Sequence, residues 1–184
     1  MKKGNNPFED KVVLITGSSQ GIGKATARSF AQQGAQVILN GRNQERLSQA
    51  VSDLRDSGAK VVGIQADLTK EAEAARLLSD TIKAFGRLDI LINNAGISMR
   101  GNFADLDPIV YRTVFDTNVQ GVANLTIPAM PYIREANGSI VFISSLAGIR
   151  GLPGLSAYCS SKMALRAMAE SIRIEEAGKG IHVG

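Results

Sequence analysis

Five short runs of β-branched and aliphatic residues recur along the chain, each followed by a longer amphipathic stretch, and this alternation narrows the fold more than any other feature. The runs are VVLIT (12–16), QVILN (36–40), KVVGIQ (60–65), LDILIN (88–93) and SIVFIS (139–144). They are mostly apolar along their length instead of alternating with polar residues. A strand with no polar side has both faces covered, and strands joined by helical crossovers run parallel. Right-handed crossovers then give a doubly wound α/β fold. Helices are expected at about 21–33, 44–57, 70–85 and 156–177, with one long or broken helical stretch at 108–133. Gly34, Gly58 and Gly86 each follow a helical run, where a left-handed C-terminal cap favours glycine.

The 184 residues suit a single domain over 1–184. IHV at 181–183 reads as the start of a sixth strand, so the chain is expected to be truncated there, with a C-terminal part missing. One cysteine, Cys159, allows no intramolecular disulfide and no cysteine-rich metal site, which fits a reducing compartment. One histidine, His182, argues against a histidine triad or a multi-histidine metal centre. The opening MKKGNNPFEDK has no apolar core of a signal peptide, and no apolar run approaches a membrane span, so a cytoplasmic location with no membrane partner is expected. The net charge of +4 comes from scattered basic residues, which speaks for solubility and against a nucleic-acid surface.

TGSSQGIG at 16–23 sits between the first strand and the first helix. Gly17 permits a tight turn, Gly21 lets backbone approach a phosphate, and Gly23 permits close helix packing. N–H groups at the helix N-terminus and the helix dipole favour an anionic pyrophosphate there. Ser19, Gln20 and Ile22 lie in the same turn and count with the glycines as candidate cofactor contacts. The spacing G-x-x-x-G-x-G differs from the common G-x-G-x-x-G dinucleotide fingerprint, and no Gly-Lys-Ser/Thr of a P-loop follows. The second strand ends in LNGRN, with Arg42 where an acidic residue would hold a ribose 2′-hydroxyl. Arg42 is either an exposed loop residue or a partner for a 2′-phosphate, which its charge and fork geometry suit. The second reading predicts NADP(H) in preference to NAD(H).

TGSSQGIG, ADLT (66–69), NNAG (93–96), Asn118 in DTNVQG, ISS (143–145) and YCSSK (158–162) occur in that order. Together they resemble the short-chain dehydrogenase/reductase family of its classical type, over nearly the whole chain from Lys11 to Gly184. The resemblance implies a Rossmann fold and a set of roles. Asp67 and Leu68 would contact the adenine end of the cofactor. Asn94, Ala95 and Gly96 would close the cleft near the adenine ribose. Ser145, thirteen before Tyr158, would polarise the substrate carbonyl, leaving Ser144 structural. Tyr158 would give or take the proton. Lys162 would hold the nicotinamide ribose and tune Tyr158. Asn118, forty before Tyr158, would hold a water that links Lys162 to solvent. Taken singly, Asp67 could instead cap the next helix, with Thr69 the better cap, and Asn118 could be a buried asparagine bonded to backbone. Cys159 reads as a packing residue pointing away from the site, and His182 as a strand-edge residue.

Carbonyl reduction needs hydride on carbon and a proton on oxygen, and the cofactor supplies only the hydride. A tyrosine needs a neighbouring positive charge to act as a base near neutrality, and Tyr158 and Lys162 lie at i, i+4 on one helix face. Ser145 adds a hydrogen bond where negative charge develops. The expected function is therefore hydride transfer between NADP(H) and a small-molecule carbonyl or secondary alcohol. Alternatives are a 3-oxoacyl-carrier-protein reductase, a non-catalytic dinucleotide binder, or an inactive fragment. ISMRGNFADL (97–106) and the absence of tryptophan depart from the pattern expected of the carrier-protein reductases. The helix carrying the pair is apolar nearly all round, at Ala157, Met163, Ala164, Leu165, Ala167, Met168, Ala169, Ile172 and Ile174. Burial on two sides would follow, by the sheet and by a second subunit in a homodimer or homotetramer.

Overall fold

A computed structural model describes residues 6–184; the first five residues of the opening stretch, read above as no signal peptide, lie outside it. Six strands form one parallel sheet: β1 (Val12–Ile15), β2 (Gln36–Gly41), β3 (Val61–Gln65), β4 (Ile90–Asn93), β5 (Ser139–Phe142) and β6 (His182–Val183). Their order is β3-β2-β1-β4-β5-β6. Helices α1 (Gly21–Gln32), α2 (Gln44–Arg55), α3 (Glu71–Phe85), α4 (Pro108–Phe115), α5 (Gly121–Glu135) and α6 (Ser156–Glu175) connect them.

The uninterrupted apolar character of the strands has a direct explanation. Val12 and Leu14 of β1 face one core with Ile38, Leu91 and Ile140, packed beneath α3, α5 and α6. Val13 and Ile15 face a second core with Val37, Leu39, Ile90 and Ile92, packed beneath α1 and α2. Successive side chains point to opposite faces, so a strand covered twice is apolar at every position.

The long helical stretch expected at 108–133 resolves into α4 and α5, separated by a π-helical turn at Asp116–Gln120. Asp107 caps α4 by accepting from Ile109 N–H at 2.8 Å, and Pro108 suits the first helical position. Gly86 is the left-handed cap of α3 (φ 77°), and Gly34 and Gly58 also have positive φ. The capping expectation at the start of α3 is corrected. Neither Asp67 nor Thr69 caps that helix, whose flanking residue is Lys70. Asp67 Oδ1 instead accepts from both the N–H (3.1 Å) and the hydroxyl (2.9 Å) of Thr69, while Glu73 reaches back to Asp67 N–H at 2.8 Å. Both side chains are thus engaged in the turn that leads into α3, and the N–H groups of Glu73 and Ala74 turn to the Lys70 carbonyl.

Strand order reverses between β1 and β4, which leaves a crevice beyond their carboxyl ends. The glycine turn, the loop after β4 and the π turn all open there.

Candidate active site

A cleft of about 430 Å³ occupies this crevice, lined by Gly17, Ser19, Gln20, Gly21, Ile22 and Gly23 of the first turn. Arg42, Asp67, Leu68, Asn94, Ala95 and Gly96 of the candidate cofactor set also line it, whereas Tyr158 and Lys162, counted in the same set, do not. The three turn glycines have different reasons. A side chain on Gly17 (φ +60°) would meet the backbone of Ala95 at 2.8 Å. One on Gly23 would meet Asn94 Nδ2 at 2.5 Å and the Gly17 carbonyl at 2.7 Å, so close approach to the turn itself governs that position. Gly21 (φ +57°) faces open space, the signature of backbone left bare toward the cleft. Ile22 is an exposed aliphatic residue on the same wall, 68% accessible.

Buried hydrogen bonds hold the turn. Thr16 Oγ1 accepts from the N–H groups of Asn94 (3.0 Å) and Ala95 (2.9 Å). Asn94 Nδ2 donates to the carbonyls of Thr16 (2.8 Å) and Gly17 (3.1 Å). Asn40 donates with its side-chain amide to the carbonyls of Ile64 and Ala66, both at 3.2 Å, its N–H donates to Ser18 Oγ at 3.0 Å, and its carbonyl accepts from Ser18 N–H at 2.8 Å. Sequence reasoning missed Asn40, although a buried polar residue at a strand end was a readable signal. It also missed Arg46, which lines the cleft and donates to Gln20 Oε1 at 3.3 Å. Arg42 is exposed, and its carbonyl accepts from Gln65 Nε2 at 2.8 Å.

Asn118 and Lys162, with Tyr158 beside the lysine, meet behind Gly96. Lys162 of α6 is 4% exposed, and its ammonium donates to the Ile143 carbonyl at 2.6 Å. The same ammonium lies 5.8 Å from the centroid of the Tyr158 ring. Burial pushes the Lys162 pKa down from its ordinary value. Asn118, in the π turn, is fully buried. Its Oδ1 accepts from Ile97 N–H at 2.8 Å, and its Nδ2 donates to the Ile97 carbonyl (2.9 Å) and Ser161 Oγ (3.0 Å). The side chain therefore makes the backbone bonds that its sequence alone left as an option. A side chain on Gly96 would stand 3.2 Å from Asn118 Oδ1 and 3.6 Å from Lys162 Nζ, so glycine there keeps the approach to both groups clear.

Ser145 accepts from Ala147 N–H at 3.2 Å at the head of a short 3₁₀ turn. It lines a second hollow of about 480 Å³ with Phe142, Ser144, Ile149 and Arg166. Ser144 is exposed there, so its expected structural role is not marked by burial. Cys159 is buried, in keeping with a packing residue, and His182 is exposed on β6. Among the described residues no cluster of histidine, cysteine, aspartate and glutamate is suited to a metal, and no helix is long and apolar enough to cross a membrane.

The parallel sheet, the bare glycine turn and the crevice at its switch point define a nucleotide-binding α/β protein of the Rossmann type. The profile of the short chain dehydrogenase family matches residues 11–184, and the chain belongs to this family of oxidoreductases. It is 41% identical over 175 residues to 11-beta-hydroxysteroid dehydrogenase 1A of Arabidopsis thaliana, covering 94% of this chain and 50% of the relative. It is 37% identical to the 3-oxoacyl-(acyl-carrier-protein) reductase FabG of Thermotoga maritima, covering 96% of this chain and 72% of that one. A short-chain dehydrogenase/reductase from Burkholderia phymatum in complex with NAD superposes with TM-score 0.92 at 31% identity, covering 95% of this chain and 64% of that one. An F189W actinorhodin polyketide ketoreductase with NADPH does so with TM-score 0.92 at 30% identity, covering 95% and 68%. The chain thus spans about half the length of the Arabidopsis relative.

Proposed function

We propose that the protein transfers hydride between NADP(H) and a carbonyl or secondary-alcohol substrate. The observation that carries this reading is the buried Lys162 ammonium, which rests on a neutral carbonyl beside Tyr158. A buried cation is costly unless paired, and burial lowers the pKa of this one. Such a group, close behind the cleft-lining Gly96, is a functional-site signal.

The bare backbone at Gly21 and the cleft that opens over it fit a dinucleotide with its pyrophosphate on the N-terminus of α1. When bound, that cofactor supplies or accepts the hydride. Tyr158 gives or takes the proton at the substrate oxygen as general acid or base. Lys162 holds the nicotinamide ribose and keeps positive charge beside the phenolic oxygen as its proton leaves. Ser145 donates to the developing oxyanion. The Asn118 side chain is already committed to Ile97 and Ser161, so a relay water would sit on its main-chain carbonyl within the π turn. Arg42, and with it Arg46, supports NADP(H) over NAD(H), because both cationic residues line the cleft where a 2′-phosphate would need a positive partner.

A homodimer or homotetramer belongs to the same proposal. Ile127 of α5 and Ile174 of α6 are 71% and 70% exposed, and Met163 is 39% exposed. A cytoplasmic location belongs to it as well. The Thermotoga relative favours one narrower reading, a 3-oxoacyl thioester as substrate. A panel of ketones, secondary alcohols and a 3-oxoacyl thioester, run with either dinucleotide and followed by nicotinamide absorbance, tests the proposal. Turnover with NADPH on simple ketones is the expected result. Dinucleotide binding without turnover on any substrate would leave the non-catalytic binder as the reading.

A further inference from the structure

Ser161 lies between Tyr158 and Lys162 on α6 and is completely buried. Its hydroxyl donates to the Tyr158 carbonyl at 2.8 Å and accepts from Asn118 Nδ2 at 3.0 Å. We infer that Ser161 is a positioning residue: its hydroxyl locks the Tyr158–Lys162 face of α6 to the cofactor-side loop through Asn118. This inference rests on Tyr158 and Lys162 being the proton-handling pair.

The bonds form a closed chain. It starts at the backbone of Ile97, one residue beyond the cleft-lining Gly96, and passes through both ends of the Asn118 amide. From there it crosses to Ser161 and ends on the Tyr158 backbone. The amide orientation is fixed, since a flip would set its NH₂ against the Ile97 N–H and its oxygen against the Ile97 carbonyl. Both Nδ2 hydrogens are used, one on Ile97 and one on Ser161. Without the Ser161 hydroxyl, one of those hydrogens would be left buried and unpaired. Among the described residues, the lock then loses its only polar link to α6.

Other hydroxyls on helices show what an uncoupled residue looks like. Ser160 Oγ donates to the Ser156 carbonyl at 2.9 Å on the exposed side of α6, and Thr113 Oγ1 donates to Ile109 at 2.8 Å. Each makes the local back-bond that helix serines and threonines commonly make, with no second side chain attached. Ser161 makes the same kind of bond and adds a long-range one across 43 residues.

The test compares Ser161→Ala with Ser160→Ala on the catalytically active protein. Ser161→Ala is expected to lower kcat about 10- to 100-fold, the scale of a sub-ångström to 1 Å misplacement of a reacting group. Dinucleotide affinity, read by nicotinamide fluorescence, should change less than about threefold, because the adenosine end is untouched. The limb of the kcat pH profile that reports the proton donor should move to higher pH, and Ser160→Ala should leave all three measurements near the parent. Adding Ser161→Ala to Asn118→Ala should cost no more than Asn118→Ala alone, since both break one chain. If Ser161→Ala fails to fold, Ser161→Cys, with a weaker donor of similar size, should show a smaller loss of the same kind. Parent kcat in the Ser161 variant, an equal loss in Ser160→Ala, or additive costs with Asn118 would overturn the inference. Retained turnover in Tyr158→Phe would instead remove the catalytic reading on which it stands.

Discussion

The two ends of the crevice are built by different means. The adenosine end is shaped by backbone: glycines at 17, 21 and 23, and a turn tied down by Thr16, Ser18, Asn40 and Asn94. The other end, where the proposed catalytic residues lie, is shaped by side chains on α6 and the π turn, and the loops after β4 and β5 carry the exposed apolar residues Phe103, Leu146 and Ile149. One backbone bond joins those loops, from Gly101 N–H to the Gly154 carbonyl at 3.0 Å. A shared cofactor needs the same cradle whatever the substrate, whereas substrate choice is free to vary at the other end. Substitutions at the two ends should therefore fail in different ways.

The largest effect is expected at Tyr158. Tyr158→Phe should lower kcat roughly a thousandfold, the scale of general acid–base catalysis, with dinucleotide affinity within about twofold of the parent. Steady-state rates beside a fluorescence titration measure both. Gly23→Val should do the reverse. Its Cβ would fall within 3.0 Å of the Ser18 and Gly17 backbone, so dinucleotide affinity should drop by tenfold or more and the melting temperature should fall too. Wild-type affinity in that variant would break the view that close approach governs the position.

Arg42→Ala should be subtler. NADPH affinity should fall about 10- to 100-fold, as for loss of charge-assisted bonds to a phosphate, while NADH affinity changes little. An equal loss for both dinucleotides would place Arg42 outside any 2′-phosphate contact.

The smallest effect on activity should come from Asp89, at the far end of β4. Burial would raise its pKa, but the Val12 N–H, Arg87 and Lys11 outweigh that and hold it below the ordinary carboxylate value. A depressed acid stabilises the fold above its unfolded-state pKa of about 4, and that contribution is lost as pH falls through the folded value. Asp89→Asn should cost about 1–3 kcal/mol at pH 7. Turnover per folded molecule should hold, and the stability gap to the parent should shrink below about pH 4. Thermal melts at pH 7 and pH 3 read this out.

Much of the fold was legible because each apolar run answers to two cores. The strands and five crossover regions follow from that pattern, with ends differing by a residue or two. The π turn was not legible. DTNVQ carries no glycine or proline to mark a break, and what holds the turn is the long-range bonding of Asn118 to Ile97 and Ser161. Ser161 was hidden for a similar reason, as one of two adjacent serines whose difference lies only in which side of α6 each faces. The expectation for Thr69 failed because Lys70 takes the flanking position of α3 and the Thr69 hydroxyl is bonded to Asp67 Oδ1 instead. Gly23 was singled out for close helix packing, whereas its nearest neighbours belong to the turn and Asn94, and local sequence does not reveal that loop's position.

The reversal of strand order between β1 and β4 has a thermodynamic side. A dinucleotide lying across that crevice would touch elements on both flanks of the sheet at once, and the unfolded chain offers it nothing comparable. Ligand at a hundred times its dissociation constant would then add about 2.7 kcal/mol to the folded state. For a chain of this size that corresponds to a rise of roughly 5–10 °C in Tm. The protein's resistance to heat would thus follow the supply of its own cofactor.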